Sequence, residues 1–162
     1  MTRGWIAAVL ATIATGMAAS AASTQTLRPV PYWASLSAGE ARMRTGPGRN
    51  YPASWLYRRA GLPVRVIQTY PGWRKLRDPD GGEGWMMATL LTATRTAIVR
   101  PGGAELRDTP NAGSHVAFHA AAGVIGRLSK CGEGWCRLDV AGRGGFVELG
   151  RLWGVDPGEA VD

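Results

Sequence analysis

Beyond residue 32 the chain runs in short stretches of alternating apolar and polar side chains broken by glycine-rich bends. Val64 and Val66 flank Arg65, and Leu138 and Val140 alternate with Arg137 and Asp139. This two-residue period belongs to strands with one buried face. The bends are Thr45-Gly46-Pro47-Gly48, Tyr70-Pro71-Gly72, Pro79-Asp80-Gly81-Gly82, Lys130-Cys131-Gly132-Glu133-Gly134 and Ala141-Gly142-Arg143-Gly144-Gly145. Glycine and proline at such density mark turns. No stretch past the N-terminal segment combines good helix formers with a 3.6-residue period. The pattern predicts an all-β protein of short strands curled into small barrels or sandwiches.

The pattern also repeats. Ala41 to Gly48 aligns with Ala104 to Asn111, Ala60-Gly61-Leu62 with Ala122-Gly123-Val124, and Gly72-Trp73-Arg74-Lys75-Leu76 with Gly134-Trp135-Cys136-Arg137-Leu138. Gly84-Trp85-Met86 aligns with Gly145-Phe146-Val147, and the offset slips from 63 to 62 to 61 along the chain. Self-similarity at that period means two copies of one small unit, each of about 60 residues, near the lower limit for independent folding.

Met43-Arg44-Thr45-Gly46-Pro47-Gly48, Tyr51-Pro52, Gly72-Trp73-Arg74-Lys75-Leu76 and Gly84-Trp85 together resemble the bacterial SH3-like domain family. The second copy is similar but diverged: it lacks the Gly-Pro-Gly turn and carries Phe146 where Trp85 stands in the first. The resemblance implies tandem SH3-like β-barrels of five or so strands with a long early loop. It further implies a non-catalytic binding or targeting role, commonly at the bacterial cell wall. The organisation expected is a signal peptide at 1–21, a linker at 22–31, one barrel at 32–93, a second at 96–155 and a tail at 156–162.

The signal peptide is read from Arg3, the uncharged run Trp5 to Met17, and the small-residue site Ala19-Ser20-Ala21. The run is rich in Ala and Thr and partitions weakly into hydrocarbon, so stable membrane insertion after cleavage is not expected. Export to the periplasm or medium changes the meaning of charge. The formal net charge is +7, from Lys+Arg 19 against Asp+Glu 12. For an exported protein that points to anionic envelope components, not to nucleic acid. Residues 32–95 carry ten basic side chains against four acidic ones, whereas 96–162 carry seven against eight. The excess lies in the first copy.

That asymmetry directs the search for a site. In the first copy Arg44, Arg58 and Arg59 are interleaved with Tyr51, Trp55, Tyr57, Tyr70 and Trp73. Guanidinium groups pair with carboxylates through two parallel hydrogen bonds, and aromatic rings stack on sugars or extended peptides. These eight residues are the candidate ligand-binding set, with peptidoglycan or another anionic envelope component as the partner. By strand period, Trp73 shares a face with Lys75 and Arg77, and Trp135 with Arg137 and Asp139. Each indole suits either a ligand platform or a cover over the barrel end. An SH3-type groove that recruits an envelope enzyme through an extended peptide, and a periplasmic enzyme inhibitor, are the alternative functions.

Cys131 and Cys136 bracket a hairpin turn, where cross-strand Cα atoms lie about 4.5 Å apart. In an exported chain this spacing predicts a disulfide. His115 and His119 are four apart, a chelating spacing on a helix, but on a strand they stand about 13 Å from each other. Oxidised cysteines do not ligate, so neither a metal nor a cofactor is expected. No Ser or Cys sits in a nucleophile motif, and Asp78 and Asp80 fall in a turn where they suit turn chemistry. The chain is expected not to be an enzyme.

Overall fold

The structure, a computed structural model, describes residues 28–161. The expected signal peptide and most of the linker lie outside the described residues. The first half holds β1 (Tyr32–Leu36), β2 (Ala41–Arg44), β3 (Ala53–Tyr57), β4 (Pro63–Tyr70), β5 (Trp73–Arg77), β6 (Glu83–Met87) and the two-residue β7 (Leu91–Thr92). The second half holds β8 (Thr96–Val99), β9 (Ala104–Arg107), β10 (Val116–Ala120), β11 (Ile125–Gly132), β12 (Trp135–Val140), β13 (Arg143–Glu148) and β14 (Leu152–Trp153). The sheets have the strand orders β3-β2-β6-β5-β4-β1-β7 and β10-β9-β13-β12-β11-β8-β14. One order becomes the other on adding seven to every strand, so the internal repeat is a repeat of topology. Each half wraps its own core. Leu36, Val64, Val66, Leu76 and Met86 fill the first, and Leu106, Leu128, Leu138, Val147 and Leu152 the second.

Seven strands per sheet exceed the five or so expected, for two physical reasons. Strands β7 and β14 are two residues long and follow single 3₁₀ turns at Ala88–Leu90 and Leu149–Arg151, too short to show a period. Strand β1 shows none because both of its faces are buried. Ala34 and Leu36 join the first core, while Trp33 and Ser35 face the other half.

That second face makes the two halves one packed body. The Trp33 and Trp153 indoles form a T-shaped pair with ring centroids 4.7 Å apart, and the Arg65 guanidinium lies 4.8 Å from the Trp33 ring centroid. The Ser35 and Thr96 hydroxyl oxygens approach to 2.6 Å, and Thr96 also donates to the Gly61 carbonyl at 2.7 Å. Ile98 and Ile125 of the second half pack on the first core. Gly154, at φ +121°, fits here because a Cβ would stand 2.6 Å from the Thr96 carbonyl oxygen and 3.0 Å from the Ala97 Cα.

Residues 156–161, expected as part of a tail, are bound to this body. Asp156 pairs with Arg65, and Glu159 pairs with Arg95. Val161 is buried, and its carbonyl accepts the Cys131 N–H at 2.9 Å. Acidic groups from the second half thus neutralise two arginines counted in the first, and part of the charge asymmetry is internal docking. Burial alone would raise the Glu159 carboxyl; the Arg95 hydrogen bond and the Asp156 N–H outweigh it and hold the group below the ordinary glutamate value of 4.5. A carboxyl held low stabilises the folded chain at neutral pH, and that contribution disappears as pH falls from 4.5 through the lowered value. Urea titrations should therefore show the wild-type midpoint falling more steeply through this acid range than that of Glu159→Gln. Parallel pH profiles would contradict the pairing.

Candidate functional site

The first half carries a solvent-facing surface on β5, β6 and β2. Alternation sends Leu76, Gly84 and Met86 inward and leaves Trp73, Lys75, Arg77, Glu83 and Trp85 outward. Antiparallel register sets Trp73 opposite Met87, Lys75 opposite Trp85 and Arg77 opposite Glu83. Arg44 of β2 stands opposite Trp85 from the other side. Trp85 is therefore flanked by two cations on neighbouring strands. Gly84 lets this strand lie close to β2, since a Cβ there would stand 2.5 Å from the Met43 Cγ and 2.9 Å from the Arg44 carbonyl oxygen.

Tyr70, 53% exposed, meets Trp85 edge to face with ring centroids 6.4 Å apart. Trp73 pairs with Tyr70 across the β4–β5 hairpin. Its turn is Pro71-Gly72, with Gly72 at φ +75°, a combination suited to a type II turn. Glu83 accepts from Arg77 at 2.6 Å and lies 3.2 Å from the Lys75 ammonium. Those contacts, Arg77 first, pull its carboxyl below the usual range. Arg44 donates to the Tyr51 carbonyl at 2.7 Å, which leaves most of its five donors directed elsewhere. The Tyr51 ring lies over the early turn: a Cβ on Gly46 would stand 2.3 Å from it. This contact explains the first glycine of Gly46-Pro47-Gly48.

The eight candidate residues do not form one cluster. Arg44, Tyr70 and Trp73 border the surface around Trp85, while the Tyr51 ring lies on the early turn. Trp55, 61% exposed, stands on the edge strand β3. Arg58 is exposed, 3.8 Å from Glu40. Two of the set require correction. Tyr57 is buried, 7% exposed, and its hydroxyl donates to the Asp78 carboxylate at 2.7 Å. Burial, followed by that hydrogen bond, pushes its phenol pKa upward, and it presents nothing to a ligand. Arg59 donates to the Gly123 carbonyl in the second half, so it clamps the halves together. Asp78 itself accepts N–H groups from Asp80 and Gly82 at 3.1 and 2.6 Å, the turn chemistry expected of that pair.

Trp85 and Lys75, outside the candidate set, lie at the centre of the β5–β6–β2 surface. Period-two counting along β6 from Glu83 identifies Trp85, but only the cross-strand register shows that Lys75 and Arg44 meet it.

In the second half Cys131 and Cys136 are directly opposed across the β11–β12 hairpin and form a disulfide, with Cα atoms 4.1 Å apart. The turn residues Glu133 and Gly134 both have positive φ, 51° and 82°, as a type I′ hairpin requires. The first half has Thr69 opposite Arg74 at that place. His115 contacts Asp108 at 3.1 Å in an exposed loop, and His119 lies on β10. Among the described residues no helix is long and apolar enough to cross a membrane.

A family model described as the bacterial SH3 domain matches the chain twice, over residues 37–92 and 100–154. No curated protein sequence matches it. Among solved structures, NlpC2 from Trichomonas vaginalis is similar at 14% identity and TM-score 0.36, covering 78% of this chain and 51% of its own. NlpC1 from the same organism is similar at 14% identity and TM-score 0.35, covering 86% and 51% respectively. An NlpC/P60 family protein from Bacillus cereus ATCC 10987 is 13% identical with TM-score 0.35, covering 75% and 55%. The chain spans about half the length of the solved structures it matches.

Proposed function

Because this chain belongs to the bacterial SH3 domain family in both of its halves, we propose that it is an exported, non-catalytic binding protein of the cell envelope. Its target is peptidoglycan, and its reading surface is the β5–β6–β2 face of the first barrel. The observation that carries this reading is the edge-to-face pair of exposed Tyr70 with half-buried Trp85, with Arg44 and Lys75 on the strands beside Trp85. Aromatic faces suit the flat sides of sugar rings, while guanidinium and ammonium groups suit the carboxylates of stem peptides. Export fits the disulfide and the leader-like N-terminus. Non-catalytic action fits a chain whose two cysteines are both oxidised.

Co-sedimentation with purified sacculi tests the proposal. The protein should pellet with sacculi at low salt, and retention should fall as ionic strength rises. If it stays in the supernatant at low salt, wall binding is wrong. Periplasmic crosslinking that traps a single protein partner would then favour the extended-peptide recruitment role.

A further inference from the structure

The second barrel holds a cavity of about 630 Å³ that the reading above does not use. It opens where β9 and β13 part, since these strands pair only at Phe146 and Arg107. Glu105, Arg107, His119, Trp135, Glu148 and Arg151 supply its polar and aromatic lining. Arg107 is committed: it binds the Glu105 carboxylate and donates to the Ser114 carbonyl. Glu148 and Arg151 are exposed and have no ion-pair partner among the described residues.

Trp135 stands directly opposite Glu148 on neighbouring strands, a position where Cβ atoms lie about 5 Å apart. An indole beside a carboxylate is a receptor for an ammonium group, through the ring face and the charge together. Arg151 ends the 3₁₀ turn that follows Glu148, and its free planar guanidinium suits a carboxylate. Beside the paired Glu105 and Arg107, the lining therefore offers one uncommitted anion, Glu148, opposite Trp135, and one uncommitted cation, Arg151.

The first barrel shows that the fold does not demand these groups. On the same backbone, Met87 stands opposite Trp73 where Glu148 stands opposite Trp135. Leu90 ends the first 3₁₀ turn where Arg151 ends the second. Leu56 faces Arg42 where His119 faces Glu105, and Tyr57 faces Ala41 where Ala120 faces Ala104. A Met–Leu pair becomes a Glu–Arg pair around a retained tryptophan, and the place of the buried Tyr57 is taken by Ala120, which lines the cleft.

We infer that this cleft binds a short zwitterionic peptide, with its ammonium group held by Trp135 and Glu148 and its carboxylate by Arg151. The volume lies within the range of small-ligand sites.

Triglycine, N-acetyltriglycine and triglycinamide, titrated into the ¹⁵N-labelled protein, test the assignment. Triglycine should shift the Trp135 indole N–H resonance, and blocking either end should weaken binding about tenfold or more. Glu148→Gln should erase the preference for the free amine, and Arg151→Gln that for the free carboxylate. The Tyr70→Ala/Trp85→Ala variant should bind triglycine as wild type does, which separates this site from the wall-binding face. An unmoved Trp135 resonance, or blocked peptides that bind as tightly as triglycine, would overturn the inference.

Discussion

Replacing Trp33 with alanine should cost about 3–5 kcal/mol, the usual range for truncating a large buried aromatic, and should uncouple the two barrels. The indole is 6% exposed and fills the seam between the halves, in a T-shaped pair with Trp153 and beneath Arg65. Its Nε1 has no hydrogen-bond partner, so the loss is one of packing. The seam is continuous with the first core through Ile98 and Ile125. Wild type should therefore unfold in urea as one transition, followed by fluorescence and far-ultraviolet circular dichroism. Trp33→Ala should shift the midpoint and resolve two transitions. A single transition at the wild-type midpoint would show that the seam contributes little.

Opening the disulfide is the second large effect. Closing a loop of this length stabilises by about 2 kcal/mol in the chain-entropy estimate, a large share of what a 60-residue barrel holds. The bridge sits in the wall of the second core, where Cys136 is fully buried. The Cys131 N–H also anchors Val161, so loosening this hairpin should free the C-terminal strap as well. Urea melts with and without reductant should differ by that amount, with faster hydrogen exchange at Val161. Cys131→Ala/Cys136→Ala should match the reduced protein. Identical melts under both conditions would contradict a stabilising role.

What was legible in the sequence was local. Alternation in β4 and β12, the glycine turns and the repeat of Gly-Trp-x-x-Leu locate the hairpins, and the hairpin locates the disulfide. These features depend on residues a few positions apart. What stayed hidden depends on distant partners. Tyr57, followed by Arg58 and Arg59, reads as a surface aromatic, yet its place is decided by Asp78, 21 residues on. Arg59 reads as a free cation, but its acceptor is the Gly123 carbonyl, 64 residues away. The charge of the first half looks like a surface property, and two of its arginines are matched by Asp156 and Glu159 from the chain's far end. Strand β1 lacks alternation because a second barrel covers its other face. The binding surface shows the same division: its residue types were readable, whereas their convergence on Trp85 is a matter of register.

The most direct measurement is sacculus co-sedimentation of Tyr70→Ala/Trp85→Ala beside wild type, with near-ultraviolet circular dichroism and the urea midpoint confirming that the double variant keeps its fold. The account predicts that wild type pellets and the folded double variant remains in the supernatant. Equal pelleting of the two would place wall recognition elsewhere on the molecule and contradict the assignment of the β5–β6–β2 face.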